Sequence, residues 1–271
     1  MTQILKDETT NLGWKGLYRA GGIAALLAGV LFRRNIAAEI GLFVQHESPA
    51  GAGDWFALLQ DNRLLGLVHL NILDVVNYAL LALMFLALLA VLRPANKSAM
   101  AIAAALGFLG IAVYLASNTA LSMLSLSNQY AAATSEAQRA YLLGAGEAML
   151  AISRFASAGA PGSAGYLSLL LVAAAGLITS LVMLRSRAFN RATAYVGIVA
   201  AALDLAYCIA YLFLPGVEML PVFFIPAAGL LLMVWHILIG WRLLRLGKAG
   251  PSSPGLGDRS KGKPTAGLFT T

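Results

Sequence analysis

Two aspartates and two adjacent arginines stand inside long apolar stretches of this chain: Asp74, Asp204 and the pair Arg33-Arg34. An ionisable group at the centre of a bilayer costs about 2.5–3.5 kcal/mol on insertion scales, so each needs a partner or water. Polar neighbours share the helical faces of the acids. Asn71, Asn77 and Tyr78 lie three or four positions from Asp74; Tyr207 and Cys208 stand likewise to Asp204, with Tyr211 beyond. At 1.5 Å per residue, Asp74 falls roughly 15 Å below the outer end of its helix, and Asp204 and Arg33 about 12 and 9 Å below theirs. Arg33, Arg34, Asn71, Asp74, Asn77, Asp204 and Tyr207 therefore form a candidate polar cluster in the outer half of the protein. Such a cluster has two uses. It can hold a small solute or ion, with an arginine attracting an anion, or it can pair its own charges and fix helices in register.

No catalytic residue and no metal-ligand set emerges beside it. His236 falls about 9 Å above the inner face, and His69 about 8 Å below the outer one. One iron cannot take both as axial ligands at that separation. His236 reads instead as a polar group bonding a neighbouring helix, and Trp235 and Trp241 as interfacial anchors. The motifs G-x-S-x-G, H-E-x-x-H and G-x-x-x-x-G-K-[ST] are absent, so hydrolase, zinc-protease and P-loop chemistry have no support and no cofactor is implied. A single cysteine, Cys208, excludes an intramolecular disulfide and a cysteine-based zinc site.

The elements that must position these groups are six apolar runs joined by short connections. Crossing a hydrocarbon core of roughly 30 Å takes about 20 helical residues. Leu64 to Leu92, Ser98 to Leu124, Gly165 to Leu184, Ala192 to Leu214 and Leu220 to Trp241 all meet that length. The first run is odd. Its uncharged part, Ala20 to Phe32, resembles a signal-peptide core, yet apolar sequence continues past Arg33-Arg34 and predicts one uncleaved helix from about Leu17 to Val44. Small residues recur at four-residue spacing, in Gly21, Ala25 and Gly29, in Ala103 and Gly107, and in Gly176 and Ser180, where helix backbones can approach closely.

Charge orients the runs. Of 19 Lys and Arg, 14 fall before the first run, after the last, or in two alternate connections, against 3 of 12 Asp and Glu. Cytoplasmic loops retain Lys and Arg. The expectation is an all-α integral membrane bundle of six transmembrane helices with both termini cytoplasmic. The net charge of +7 is thereby an orientation signal, with attraction to anionic inner-leaflet lipid, and not a nucleic-acid footprint. Charged residues make up only 11% of the chain, where soluble domains carry about 25%. Residues 1–16 read as a cytoplasmic tail, 17–246 as the transmembrane domain, and 247–271, rich in Gly, Pro, Ser and Lys, as a disordered cytoplasmic tail. Between the third and fourth spans, Ser135 and Gln138 match a capping box, and apolar residues then recur at helical spacing from Tyr141 to Phe155. This predicts an extra amphipathic helix in the outer loop.

The stretches RAGGIAALLAGVLF at Arg19, RLLGLVHLNILDVV at Arg63, LRPANKSAMAIAAALG at Leu92, RSRAFNRATAYVGIVAA at Arg185 and VFFIPAAGLLLMVWHILIG at Val222 resemble a bacterial multi-pass family known as domain of unknown function 4386. That resemblance implies six membrane helices and no established activity. Together these observations describe a multi-pass protein of a bacterial plasma membrane, whose partners are the lipid bilayer and either a small solute or another membrane protein. A solute-binding or transport role for the cluster is the leading expectation, and a structural or accessory subunit the alternative. A membrane-embedded enzyme ranks third.

Overall fold

A computed structural model describes residues 14–31, 49–153, 163–213 and 220–248. Arg33, Arg34, the later part of the first apolar run and both tails lie outside the described residues. Those described contain helices and no strand: α1 (14–31), α2 (Ala52–Asp61), α3 (Arg63–His69), α4 (Ile72–Leu92), α5 (Lys97–Ser117), α6 (Ala120–Ala132), α7 (Glu136–Ser153), α8 (Ser163–Arg185), α9 (Arg191–Phe213) and α10 (Leu220–Lys248). Five stretches are long and apolar enough to cross a membrane: Ile72–Leu92, Lys97–Ala132, Ala164–Arg185, Arg191–Phe213 and Pro226–Lys248. Large aliphatic side chains cover their outward faces, among them Leu83, Ile102, Leu109, Ile209 and Val234. That surface suits lipid, which is as apolar as leucine.

The long helices close into a ring in the order α1, α4, α5, α8, α9, α10 and back to α1. Small residues make most of the seams. A Cβ on Gly21 would lie 2.3 Å from the Ala87 Cβ, so glycine is what lets α1 reach α4. On its other side α1 meets α10, where Cβ positions on Gly22 and Gly240 would each fall within 3.0 Å of the other's carbonyl oxygen. Between α5 and α8, the Ser168 hydroxyl donates to the Gly110 carbonyl at 2.8 Å. Ala103, Ala175, Met84, Phe85, Leu88 and Ile239 fill the ring as part of one buried cluster. Of the small residues expected from spacing, Gly21 and Gly29 make tight crossings, and Gly107 packs in ordinary contact with Phe85 and Ala175. Gly176 makes no tight crossing, since a Cβ there would meet its first neighbour only at 3.9 Å.

Two runs that read as continuous spans are broken. Asn71 takes a left-handed conformation (φ 59°, ψ 35°) between α3 and α4, a region that Asn enters more readily than most side chains. Asn118 turns extended after α5, and its side-chain oxygen accepts the Ala120 amide at 3.1 Å to start α6. The two breaks sit side by side. The Asn118 amide donates to the Asn71 carbonyl at 3.3 Å, and the Tyr114 hydroxyl donates to Asp74 Oδ2 at 3.2 Å.

Beyond the breaks, α2, α3, α6 and α7 form a cap with its own core of Ala52, Phe56, Leu59, Ala120, Met123 and Leu150. Its polar groups are engaged across helices. Ser127 donates to the Phe56 carbonyl at 3.0 Å and accepts from Gln60 at 2.9 Å. Glu147 accepts the Ala52 amide at 2.6 Å, satisfying a first-turn donor of α2 with a negative charge at the positive end of the helix. At the start of α7 the Gln138 amide donates to Ser135 Oγ at 3.2 Å.

Basic residues gather at the opposite end of the ring. Arg93 lies over the Trp14 ring at 4.8 Å and Arg245 over Trp241 at 4.9 Å. The Arg19 Nε donates to the Gly247 carbonyl at 3.2 Å, and Arg242 Nε donates to the carbonyl of Ala188. These contacts use the planar, always-charged guanidinium to hold terminal carbonyls and aromatic faces at helix ends.

Candidate functional site

The ring encloses a cavity of about 70 Å³, walled by α4, α8, α9 and α10. Each wall is a single helical face. Gly197, Ala201 and Asp204 recur on α9 at intervals of four and three; Leu169, Val172, Ala173 and Gly176 do so on α8. Tyr78, Leu81, Met84 and Phe85 close one side from α4, and Leu232, Trp235 and His236 the other from α10. Small residues on α8 and α9 leave the space that the larger side chains of α4 and α10 do not fill.

Polar chemistry converges on this space. Asp204 is buried to 9% exposure. His236 Nδ1 lies 2.5 Å from the Leu232 carbonyl, and since that oxygen only accepts, Nδ1 carries the proton. Trp235 Nε1 and Ser180 Oγ are buried without a hydrogen-bond partner. Both crowd the place where a Gly197 Cβ would stand, at 2.3 and 2.2 Å, so the absence of that carbon is what lets the indole and the hydroxyl face each other across α9. A buried polar group without a partner costs about 1–3 kcal/mol, so such groups mark where water or a guest belongs.

Asp74 stands elsewhere. It occupies the first turn of α4, at the rim beside the cap, and is bonded by Tyr114. The Tyr114 ring stacks on Tyr78 at 3.9 Å between centroids, nearly parallel at 5°. Tyr78 is near enough to both Asp74 and Asp204 to feel their charges, and so links the rim to the cavity. Asn71 is the break residue itself, Asn77 is buried with its Oδ1 unpartnered, and Tyr207 is buried one turn beyond Asp204 with its hydroxyl unpartnered. Near Tyr207, Tyr211 and Tyr166 add an aromatic layer, with the Tyr166 hydroxyl donating to the Cys208 carbonyl at 3.0 Å. Pairing of the acids with Arg33 or Arg34 lies outside the described residues.

His236, Trp235, Tyr78 and Ser180 were not part of the expected cluster. The depth assigned to His236 is corrected by the length of α10, which runs on to Lys248. Measured from the basic end, His236 and Asp204 stand roughly 18 and 20 Å up their helices, at 1.5 Å per residue. They are therefore level. Trp235 faces this interior at 3% exposure and not the interface. The signal was present in the spacing of Gly197, Ala201 and Asp204, which marks an unusually small, polar-tipped face. Among the described residues no three His, Cys, Asp or Glu groups come together as metal ligands do.

The model of a family described as domain of unknown function (DUF4386) matches residues 16–247, the whole ring and cap. The chain belongs to the DUF4386 family. No curated protein and no solved structure matches it. Membership in DUF4386 carries no activity with it, so function must be argued from the cavity.

Proposed function

We propose that this chain is a six-span protein of the plasma membrane that binds a small solute inside its helical ring. The sixth span includes α1, the basic end faces the cytoplasm, and the cap with α7 lies outside. The bilayer is its solvent. The observation that carries the reading is the cavity walled by α4, α8, α9 and α10, an apolar space with Asp204, His236 and the Trp235 ring on its surface. Apolar walls with a few convergent polar groups are what small-molecule sites look like.

A reachable site must admit small reagents. In a Cys208→Ala background, Ala201→Cys places a thiol on the cavity wall, and Ala175→Cys places one in the packed seam beside Gly107. Methyl methanethiosulfonate should modify position 201 at least about tenfold faster than position 175 in intact membranes. Equal, slow modification at both would mean a sealed core and would remove the solute reading. The orientation is read in the same background: Gln129→Cys should label from outside intact cells and Arg187→Cys only after permeabilisation.

A structural reading applies to the rim. The Tyr114 bond to Asp74 and the Asn118 bond to Asn71 tie the two helix breaks together. Asp74 and Asn71 therefore serve the joint between ring and cap, while Asp204 serves the cavity.

A further inference from the structure

Resting on the solute-site reading, the cavity's chemistry narrows what it takes. Among the described residues on its surface there is one carboxylate, that of Asp204, and no lysine or arginine. The histidine proton on Nδ1 is held by the Leu232 carbonyl. An anion would find no counter-charge among the described residues. An inorganic cation such as Ca²⁺ asks for six to eight oxygen ligands, and the walls of Leu81, Met84, Phe85, Leu169 and Val172 supply none. An apolar guest would give the Asp204 carboxyl no polar partner. Aromatic faces at Tyr78 and Trp235 favour positive charge.

Size sets a further limit. An apolar cavity of about 150 Å³ takes benzene, with six heavy atoms, so about 70 Å³ takes three or four. We propose that the cavity binds a small organic ammonium ion, its charged end on Asp204 and against the aromatic rings of Tyr78 and Trp235. Gly176 sets the size of the guest. A methyl group there would meet Ala201 at 3.9 Å and Trp235 at 4.0 Å, in ordinary contact, and would take up the space itself.

Ethanolammonium, with four heavy atoms, is the probe. Ethylene glycol is its neutral counterpart, glycolate its charge-reversed one, and choline a larger ammonium. Thermal unfolding of the full chain in nanodiscs of zwitterionic lipid, at fixed ionic strength, compares them. Ethanolammonium should raise Tm saturably, by roughly 5–10 °C at a hundredfold excess over its Kd, and the other three should not. Asp204→Asn should weaken ethanolammonium at least tenfold. Gly176→Ala should fold, unfold at a higher Tm than the parent, and show no response. A saturable shift with ethylene glycol or glycolate but not ethanolammonium overturns the ammonium assignment and leaves the solute site standing. An ethanolammonium shift that survives both Asp204→Asn and Gly176→Ala overturns the assignment to this cavity. No shift with any probe, while Ala201→Cys is readily modified, overturns the ammonium class alone; no shift together with an unreactive Ala201→Cys overturns both.

Discussion

The cap and the ring handle buried polar groups in opposite ways. In the cap, Ser127 makes two cross-helix bonds, Glu147 takes up the Ala52 amide, and Asn62 and Ser135 each start a helix with a side-chain acceptor. In the ring, Asn77, Thr179, Ser180, Tyr207 and Trp235 carry buried polar atoms without a partner among the described residues. A cap cemented on all sides is a rigid platform. In the ring the buried acid Asp204 borders a void, and of the unpartnered residues Trp235 lines it. The lesson is that polarity alone did not mark the site; polarity beside missing volume did.

The contrast breaks most sharply when one aromatic is deleted from each region. Phe56 in the cap and Phe85 in the ring are equally buried, at 1% and 2% exposure. If the cap folds against water, Phe56→Ala should cost about 3–5 kcal/mol, the transfer term plus the cavity term. Phe85→Ala should cost distinctly less, because a phenylalanine leaving the ring enters lipid and loses only packing. Chemical unfolding in detergent, followed by tryptophan emission, compares the two. Equal losses would place both regions in the same solvent.

A smaller effect sharpens the difference between two glycines of the ring itself. Gly197→Ala drives a methyl into Ser180 and Trp235 and should destabilise by about 1–3 kcal/mol. Gly176→Ala makes only ordinary contacts with Ala201 and Trp235 and should gain up to about 1 kcal/mol from helix propensity. Thermal melts of the two variants should therefore move in opposite directions. Smallest is the joint between the regions. Asn118→Ala removes both the bond to Asn71 and the acceptor for Ala120, and should cost about 1 kcal/mol. Amide exchange should quicken at Ala120 and Leu121 while Met84 and Phe85 stay protected.

Much of the fold was legible. Unbroken apolarity over twenty residues has few physical outcomes, and the helices α4, α5, α8, α9 and α10 lie where those runs lie. The Ser135–Gln138 spacing named a bond that exists. What stayed hidden were events in which a polar residue serves the backbone. Asn71 read as a member of a polar environment and Asn118 fell inside an apparently unbroken span, yet one is a left-handed break and the other an extended one. Nothing in their local spacing separates those roles, since the break is stabilised by a partner from another helix. The candidate site was legible in part. Asp204 and its small-residue face were on the page, but its companions Trp235 and His236 come from α10, and the depth of α10 depends on where that helix stops.

The seam between α1 and α10 has a consequence for biogenesis. Helices emerge from synthesis in order, and the first must wait for the last before Gly22 and Gly240 can meet. Until then the enclosure has no α10 wall, and Asp204 faces lipid or whatever chaperones it. The enclosed cavity is thus the final thing the chain makes, and a nascent or truncated protein lacking α10 would be a membrane protein with most of its helices and a cavity short of one wall.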